Sequence, residues 1–72
     1  MVYDYSKLRG RIVEKVGSNL NFAELMGFSE NTMSMKLNNK RSWSQADISK
    51  ASSILNIKPE EISSYFFTKK VH

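Results

Sequence analysis

The feature that most constrains this fold is the run FAELMGFSENTMSMKLNN, residues 22–39, in which one glycine separates two segments with helical spacing. Ala23 lies four residues before Gly27, and Met33 lies six residues after it. A small residue lets two helices cross closely, and a glycine permits the tight turn between them. The spacing therefore predicts a helix-turn-helix over about residues 19–38, with Met33 and Leu37 on the buried side of its second helix.

Apolar spacing and capping residues predict a helix near the start of the chain and mark where the two helices of the helix-turn-helix begin. A first helix is expected over residues 5–16, ending at Gly17. The apolar residues that follow helical spacing in the first two helices are Leu8, Ile12, Val13, Val16, Leu20, Phe22, Ala23, Leu25 and Met26. Ser18 and Ser29 are the expected N-caps of the two helices of the helix-turn-helix.

Two more helices are predicted after the helix-turn-helix. Ser44 and Asp47 resemble a capping box in front of a fourth helix, which ends near Asn56. Pro59 suits the first turn of a short fifth helix over residues 59–66. The aromatic run Tyr65, Phe66 and Phe67 is expected to close the core. The sequence thus predicts an all-α, five-helix fold and one domain over residues 1–72.

Composition argues against several classes of function. The chain has no cysteine, and its only histidine, His72, is the last of its 72 residues. We therefore expect no metal site, no cofactor and no catalytic constellation of the common nucleophile type. No apolar run approaches the roughly 20 residues needed to span a bilayer, so no membrane partner is expected.

The charge balance favours a polyanionic partner. The chain carries a formal net charge of +4 and has a pI near 9.6. The cations gather in residues 7–15 and in residues 36–50, each with a single acidic residue among them. These two clusters form one basic face if the fold brings them together.

The run SNLNFAELMGFSENTMSMKLNNK resembles the helix-turn-helix of the Cro/CI (XRE-type) repressors, and nearly the whole chain is similar to a phage Cro-like protein. This resemblance implies a compact, lambda-repressor-like DNA-binding domain and a repressor of a phage lysis–lysogeny switch. The partner is then double-stranded operator DNA, bound as a monomer or a homodimer in the cytoplasm of a bacterial host. The recognition helix, residues 30–38, is expected in the major groove.

The resemblance also implies roles for individual residues. The expected base-contacting residues lie on the exposed side of the recognition helix: Glu30, Asn31, Ser34, Met35 and Asn38. The expected phosphate-contacting residues flank them: Ser18, Asn19, Ser29, Lys36, Asn39, Lys40, Arg41 and Trp43. Glu30 serves equally well as a partner of the helix dipole, and Trp43 also suits a role in covering the core.

A second reading keeps the same surface but changes the partner. In it, the helix-turn-helix surface binds a CI-type repressor protein and masks it, so that the chain acts as an antirepressor. The short recognition helix, with little charge and with Met35 among its outward residues, is consistent with this alternative. Steep dependence on salt distinguishes DNA binding from an apolar protein interface.

Overall fold

The computed structural model describes residues 2–70, and the expectations about His72 lie outside them. Within this range the helices are α1 (Ser6–Val16), α2 (Asn19–Met26), α3 (Glu30–Leu37), α4 (Gln45–Leu55) and α5 (Ile62–Phe66). The predicted all-α, five-helix fold is confirmed. The fifth helix differs from its expected form, since residues Pro59–Glu61 form a 3₁₀ turn that precedes α5. Such turns are frequent at helix ends.

Three of the five helices, α2, α3 and α4, begin at hydroxyl caps, as the sequence predicted. The side chains of Ser18, Ser29 and Ser44 each accept a hydrogen bond from a backbone N–H in the first turn of their helix. Ser44 and Asp47 complete the capping box of α4. These contacts satisfy N–H groups that have no partner inside the helix, so each helix has a defined start.

Left-handed residues end three of the helices. Gly27 has φ 78°, and its N–H and that of Phe28 bond back to the Glu24 and Ala23 carbonyls at 3.2 and 2.9 Å. This is the pairing of a Schellman motif, which turns the chain sharply between α2 and α3. Asn56 (φ 54°) occupies the same position after α4, and Asn39 (φ 62°) follows the Asn38 cap of α3.

One core joins all five helices. Its members are Tyr5, Leu8, Ile12, Phe22, Ala23, Met26, Met33, Leu37, Ala51, Leu55, Ile57, Tyr65 and Phe66. Ala23 is 1% exposed, which agrees with the close helix crossing that its small size predicts. The pairing of Met33 and Leu37 on the buried side of α3 was also predicted correctly.

Several apolar residues of the helical pattern lie outside this core. Val13, Leu20 and Leu25 are 59%, 50% and 52% exposed, because short helices turn only one stripe of side chains toward the core. Phe67, which was expected to close the core with Tyr65 and Phe66, is instead 47% exposed. The core is therefore narrower than the apolar pattern suggests, and apolar surface is left on α1 and α2.

The two ends of the described chain pair with each other. Asp4 donates its backbone N–H to the Thr68 carbonyl at 2.7 Å, and Lys70 donates to the Val2 carbonyl at 3.1 Å. Tyr3 and Lys69 form an isolated antiparallel bridge. Between residues 2 and 70, no helix is both long enough and apolar enough to cross a membrane.

Candidate functional site

The outward side of α3 carries polar side chains, as its sequence predicted. The exposed residues there are Glu30, Asn31, Ser34 and Asn38. Asn38 donates from Nδ2 to the Ser34 carbonyl at 2.8 Å and accepts at Oδ1 from Arg9 at 3.2 Å, so both ends of its amide have partners within the fold. Met35 was expected to be exposed but is half-buried, because it stands between this polar stripe and the buried residues Lys36 and Leu37.

The only cation of α3 points into the fold. Lys36 is 8% exposed, and its ammonium donates to the Ser42 carbonyl at 2.8 Å and to the Asp47 carboxylate at 2.9 Å. The same ammonium lies over the rings of Phe28 and Trp43. The expected phosphate contact of Lys36 does not fit this geometry, since moving the lysine outward would leave the Asp47 carboxylate unpaired.

Asp47 fixes the start of α4 to the end of α3. Burial raises the pKa of this carboxyl, but hydrogen bonds from Lys36 and Ser44 outweigh burial and lower the pKa below its ordinary value. The Ser44 backbone N–H donates to Oδ2 of Asp47 at 3.1 Å. Asp47 therefore stays ionised near neutral pH, where it holds the lysine in place.

Three further cations bind the C-terminal ends of helices. The donor–acceptor pairs are Arg9 to the Leu37 carbonyl (2.9 Å), Arg11 to the Leu55 carbonyl (3.0 Å) and Lys50 to the Met26 carbonyl (3.2 Å). Helix C-termini carry partial negative charge and unpaired carbonyls, so cations stabilise them. Four cations of the two basic clusters therefore make contacts within the fold: Arg9, Arg11, Lys36 and Lys50.

The polar residues at the starts of α2 and α3 have local partners. The Ser18 hydroxyl accepts from the Asn21 N–H at 3.1 Å, and the Ser29 hydroxyl accepts from the Thr32 N–H at 3.1 Å. Asn19 is exposed in the first turn of α2. The Ser29 hydroxyl also donates to Oγ1 of Thr32 at 2.9 Å. A hydroxyl that accepts as an N-cap keeps its own O–H as a donor, so the phosphate contacts at Ser18 and Ser29 stay predictions.

The remaining predicted phosphate contacts lie in the loop after α3. Asn39 is used within the fold, since its amide donates to the Tyr3 carbonyl and accepts from the Tyr3 N–H, both at 2.9 Å. Lys40 and Arg41 are exposed. Trp43 is half-buried, and its indole N–H is buried without a partner among residues 2–70. Only Lys40 and Arg41 therefore combine charge with exposure.

The helix-turn-helix contains one cation, the buried Lys36. Of the eleven Lys and Arg residues of the chain, four precede Val16 and seven follow Met35. Between these residues the only charged side chains are Glu24 and Glu30, and both are exposed. Proteins that bind double-stranded DNA neutralise phosphates with Lys and Arg beside the recognition helix, so this segment lacks the usual electrostatic footprint.

A shallow groove runs between α1, the start of α2 and the outward side of α3. We call its exposed lining the α2–α3 face: Asn19, Leu20, Glu30, Ser34 and Asn38. The groove has a volume of about 190 Å³, and Met33 and Leu37 lie at its lining. Arg9 borders it, with its guanidinium engaged at the end of α3. An exposed leucine among uncharged and acidic side chains is a surface suited to a protein contact.

Sequence reasoning missed Leu20 and Arg9 as members of this surface. Leu20 was placed in the apolar pattern of α2, and Arg9 was counted as a cation of a basic cluster. The absence of Lys and Arg between Val16 and Met35 was the available signal, since it separates the helix-turn-helix from the basic parts of the chain.

Comparisons with known proteins match the chain to a family and to a solved structure. Residues 1–69 match the model of a family described as "Protein of unknown function (DUF739)". The chain is also similar to the solution structure of the modulator of repression (MOR) of the temperate bacteriophage TP901-1 from Lactococcus lactis. The identity is 51% and the TM-score 0.84, and the match covers 100% of this chain and 97% of that one. Among curated proteins, none matches significantly.

This likeness corrects the main functional expectation. A Cro-type repressor that reads operator DNA is contradicted by the similarity to a modulator of repression over the full length of the chain. Membership of the Cro/CI family, DNA as the partner and a homodimer on DNA find no support in the comparisons. The alternative, in which the chain acts on repression through a protein, agrees better with this likeness.

Proposed function

The chain belongs to the DUF739 family, and we propose that it modulates repression in a bacteriophage by binding a repressor protein. The observation that supports this most is the 51% identity with the phage modulator of repression across the whole chain. The proposal places the chain in the cytoplasm of a bacterial host, as a single domain. It requires no catalytic step, metal or cofactor.

The contact surface in this proposal is the α2–α3 face. In this proposal the helix-turn-helix of about residues 19–38 contacts a protein instead of DNA. The same fold often carries unrelated functions, so the site decides between them. Here the outward residues of α3 are uncharged apart from Glu30, and Leu20 offers apolar area beside them.

Charge suggests which part of a repressor fits this face. Glu24 and Glu30 are the only charged side chains between residues 16 and 35, so this segment favours a cationic partner surface. The DNA-binding side of a repressor is rich in Lys and Arg. We therefore expect the α2–α3 face to bind that side of the repressor, which would prevent the repressor from reaching its operator.

Calorimetric titration of the chain into the repressor of the phage that encodes it tests this proposal. We expect saturable binding that Leu20→Ser weakens about tenfold or more, which corresponds to about 1.4 kcal/mol. Leu25→Ser is the matched control, because Leu25 is equally exposed on the same helix but does not line the groove. Equal losses in both variants, or no binding by the wild type, would overturn the assignment.

A charge-reversal pair gives a second test with the same titration. Glu30 and Glu60 are both exposed and both lie in the first turn of a helical segment. Glu30→Lys is expected to weaken repressor binding several-fold, since it places a cation against a cationic surface. Glu60→Lys changes the net charge by the same amount away from the face and should leave the affinity unchanged.

A further inference from the structure

We propose that a second groove, away from the α2–α3 face, binds an acidic peptide segment that carries an aromatic side chain. We call it the aromatic groove, and its walls are Tyr3, Tyr5, Trp43, Phe66 and Phe67. Its volume is about 260 Å³, slightly below the range of about 300–1,000 Å³ usual for pockets that hold a drug-sized ligand. That space suits one inserted ring better than a whole cofactor. The inference does not depend on the repressor-binding function.

The aromatic rings of the walls already meet edge to face. Trp43 and Phe66 have centroids 5.2 Å apart at an interplanar angle of 69°, and Tyr3 and Phe67 are 5.8 Å apart at 82°. Tyr5 meets Trp43 at 6.4 Å and 62°. Aromatic rings prefer such tilted contacts, so a further ring from a partner can extend the same arrangement.

The rim of the groove is cationic. Lys40 and Arg41 line it and are exposed, and no Asp or Glu lines it. Within residues 2–70, the ion pairs join Arg11 to Glu14 and Lys36 to Asp47, so neither rim cation is paired there. A ligand with carboxylates beside its ring would meet both cations, and the arginine can bind a carboxylate through two parallel hydrogen bonds.

Trp43 carries a hydrogen-bond donor that the fold leaves unused. Its indole N–H is buried and has no acceptor among the described residues. Buried donors of this kind are rare, because most find an acceptor in the protein or in water. This N–H has almost no exposed surface, so the fit of the groove to a peptide rests on its rings and its rim cations.

The groove is built on a fixed frame. The two hydrogen bonds between the Asn39 amide and the Tyr3 backbone join the N-terminal segment to the loop after α3. The bond from the Asp4 N–H to the Thr68 carbonyl joins the same segment to the chain after α5. A preformed site loses little conformational freedom on binding, which favours a short peptide ligand.

A single-stranded nucleic acid also combines rings with negative charge. Such strands are usually bound along an extended basic groove in which successive bases stack on aromatic side chains. The aromatic groove offers room for about one ring and a rim with two cations, so it favours an acidic peptide. A short oligonucleotide then becomes a control in the experiment.

Tryptophan fluorescence of the full chain tests this inference directly, because Trp43 is the only tryptophan. The probe is acetyl-Glu-Phe-Asp-amide, and the controls are acetyl-Lys-Phe-Lys-amide, acetyl-Glu-Ala-Asp-amide and a thymidine tetranucleotide. We expect the probe to change the Trp43 emission and to bind at least tenfold more tightly than each control. Equal affinity for all peptides, no change in emission, or tighter binding of the tetranucleotide would overturn the inference.

Paired variants separate this site from general attraction to a basic protein. The double variant Lys40→Ala/Arg41→Ala should lose at least tenfold in probe affinity. Lys15→Ala/Lys58→Ala removes two exposed cations that do not line the groove and should keep wild-type affinity. An equal loss in both double variants would contradict the inference. The repressor takes no part in this experiment, so its result is independent of the proposed function.

Discussion

Residues 16–35 and residues 36–43 follow each other along the chain but present different surfaces. The first segment, which holds α2 and most of α3, has no cation and exposes Leu20, Glu24 and Glu30. The second holds three cations in eight residues, and two of them, Lys40 and Arg41, are exposed beside aromatic rings. In a DNA-reading helix-turn-helix, cations would be expected beside the recognition helix. The absence of cations from residues 16–35 shows that a helix-turn-helix backbone does not by itself decide which ligand it binds.

The largest expected effect on stability is the difference between replacing the buried Lys36 and replacing the exposed Lys40. Lys36→Met should lower the free energy of unfolding by about 2–3 kcal/mol, because it removes the ammonium that pairs with the Asp47 carboxylate and donates to the Ser42 carbonyl. Lys40→Met should change it by less than about 0.5 kcal/mol, as expected for an exposed side chain. Urea denaturation of both variants measures the difference. Equal stabilities would mean that the fold does not need the Lys36 ammonium, which would then be available to an outside ligand like that of Lys40.

The next effect on stability compares Asn39, from residues 36–43, with Asn31, from residues 16–35. Asn39→Ala should cost about 2 kcal/mol, since alanine is strained at φ 62° and cannot replace the two hydrogen bonds to Tyr3. Asn31→Ala, on the outward side of α3, should cost less than about 0.5 kcal/mol.

Asn39→Gly separates the two contributions at that position. Glycine accepts the left-handed conformation but makes no side-chain hydrogen bonds, so it should recover about 1 kcal/mol of the loss. If glycine recovered nothing relative to alanine, the left-handed backbone would contribute no strain. If both variants were as stable as the wild type, the Asn39 side chain would not be fixing the N-terminal segment.

A pH series tests the pairing that keeps Lys36 inside. The pKa of Asp47 is lower in the folded chain than its ordinary value, so the ionised carboxylate stabilises the fold above the unfolded pKa. This contribution is lost as the pH falls through the folded pKa. Asp47→Asn should therefore be less stable than the wild type at pH 7, by about 1 kcal/mol, and the gap should narrow below about pH 4. A gap that stays constant in urea titrations from pH 7 to pH 3 would show that the charge of Asp47 contributes nothing.

The smallest effect on stability concerns the leucine of the α2–α3 face. Leu20→Ser should shift the free energy of unfolding by no more than about 0.5 kcal/mol, because the side chain is half exposed and lies outside the core. Thermal unfolding followed by circular dichroism measures this. A loss of several kcal/mol would place Leu20 in the core and remove it from the interaction surface.

Local signals made the fold readable from the sequence. Ser18, Ser29 and Ser44 mark helix starts, and Gly27 and Asn56 mark helix ends, because each acts on backbone groups within a few residues. The buried side of α3 was equally accessible, since Met33 and Leu37 are one helical turn apart.

Side-chain partners that are distant in sequence made the site harder to predict. In the sequence Lys36 has no evident partner, because Asp47 lies eleven residues later and only the loop after α3 brings the two side chains together. In the sequence Arg9 belongs to a basic cluster, because its partner at the end of α3 lies 28 residues away and only the fold brings them together. Periodicity also could not tell that α2 would turn Leu20 outward, because that depends on which stripe of the helix the other elements cover.

The most direct test of the central claim is a choice between two partners offered to the same chain. The wild-type protein is titrated against the phage repressor and, separately, against that repressor's operator and a scrambled duplex, each at low and at moderate salt. We predict saturable binding to the repressor and no preference for the operator over the scrambled duplex, with any DNA association weak and lost as salt rises. Preference for the operator at both salt concentrations, together with no binding to the repressor, would contradict the proposal that this helix-turn-helix acts on a protein.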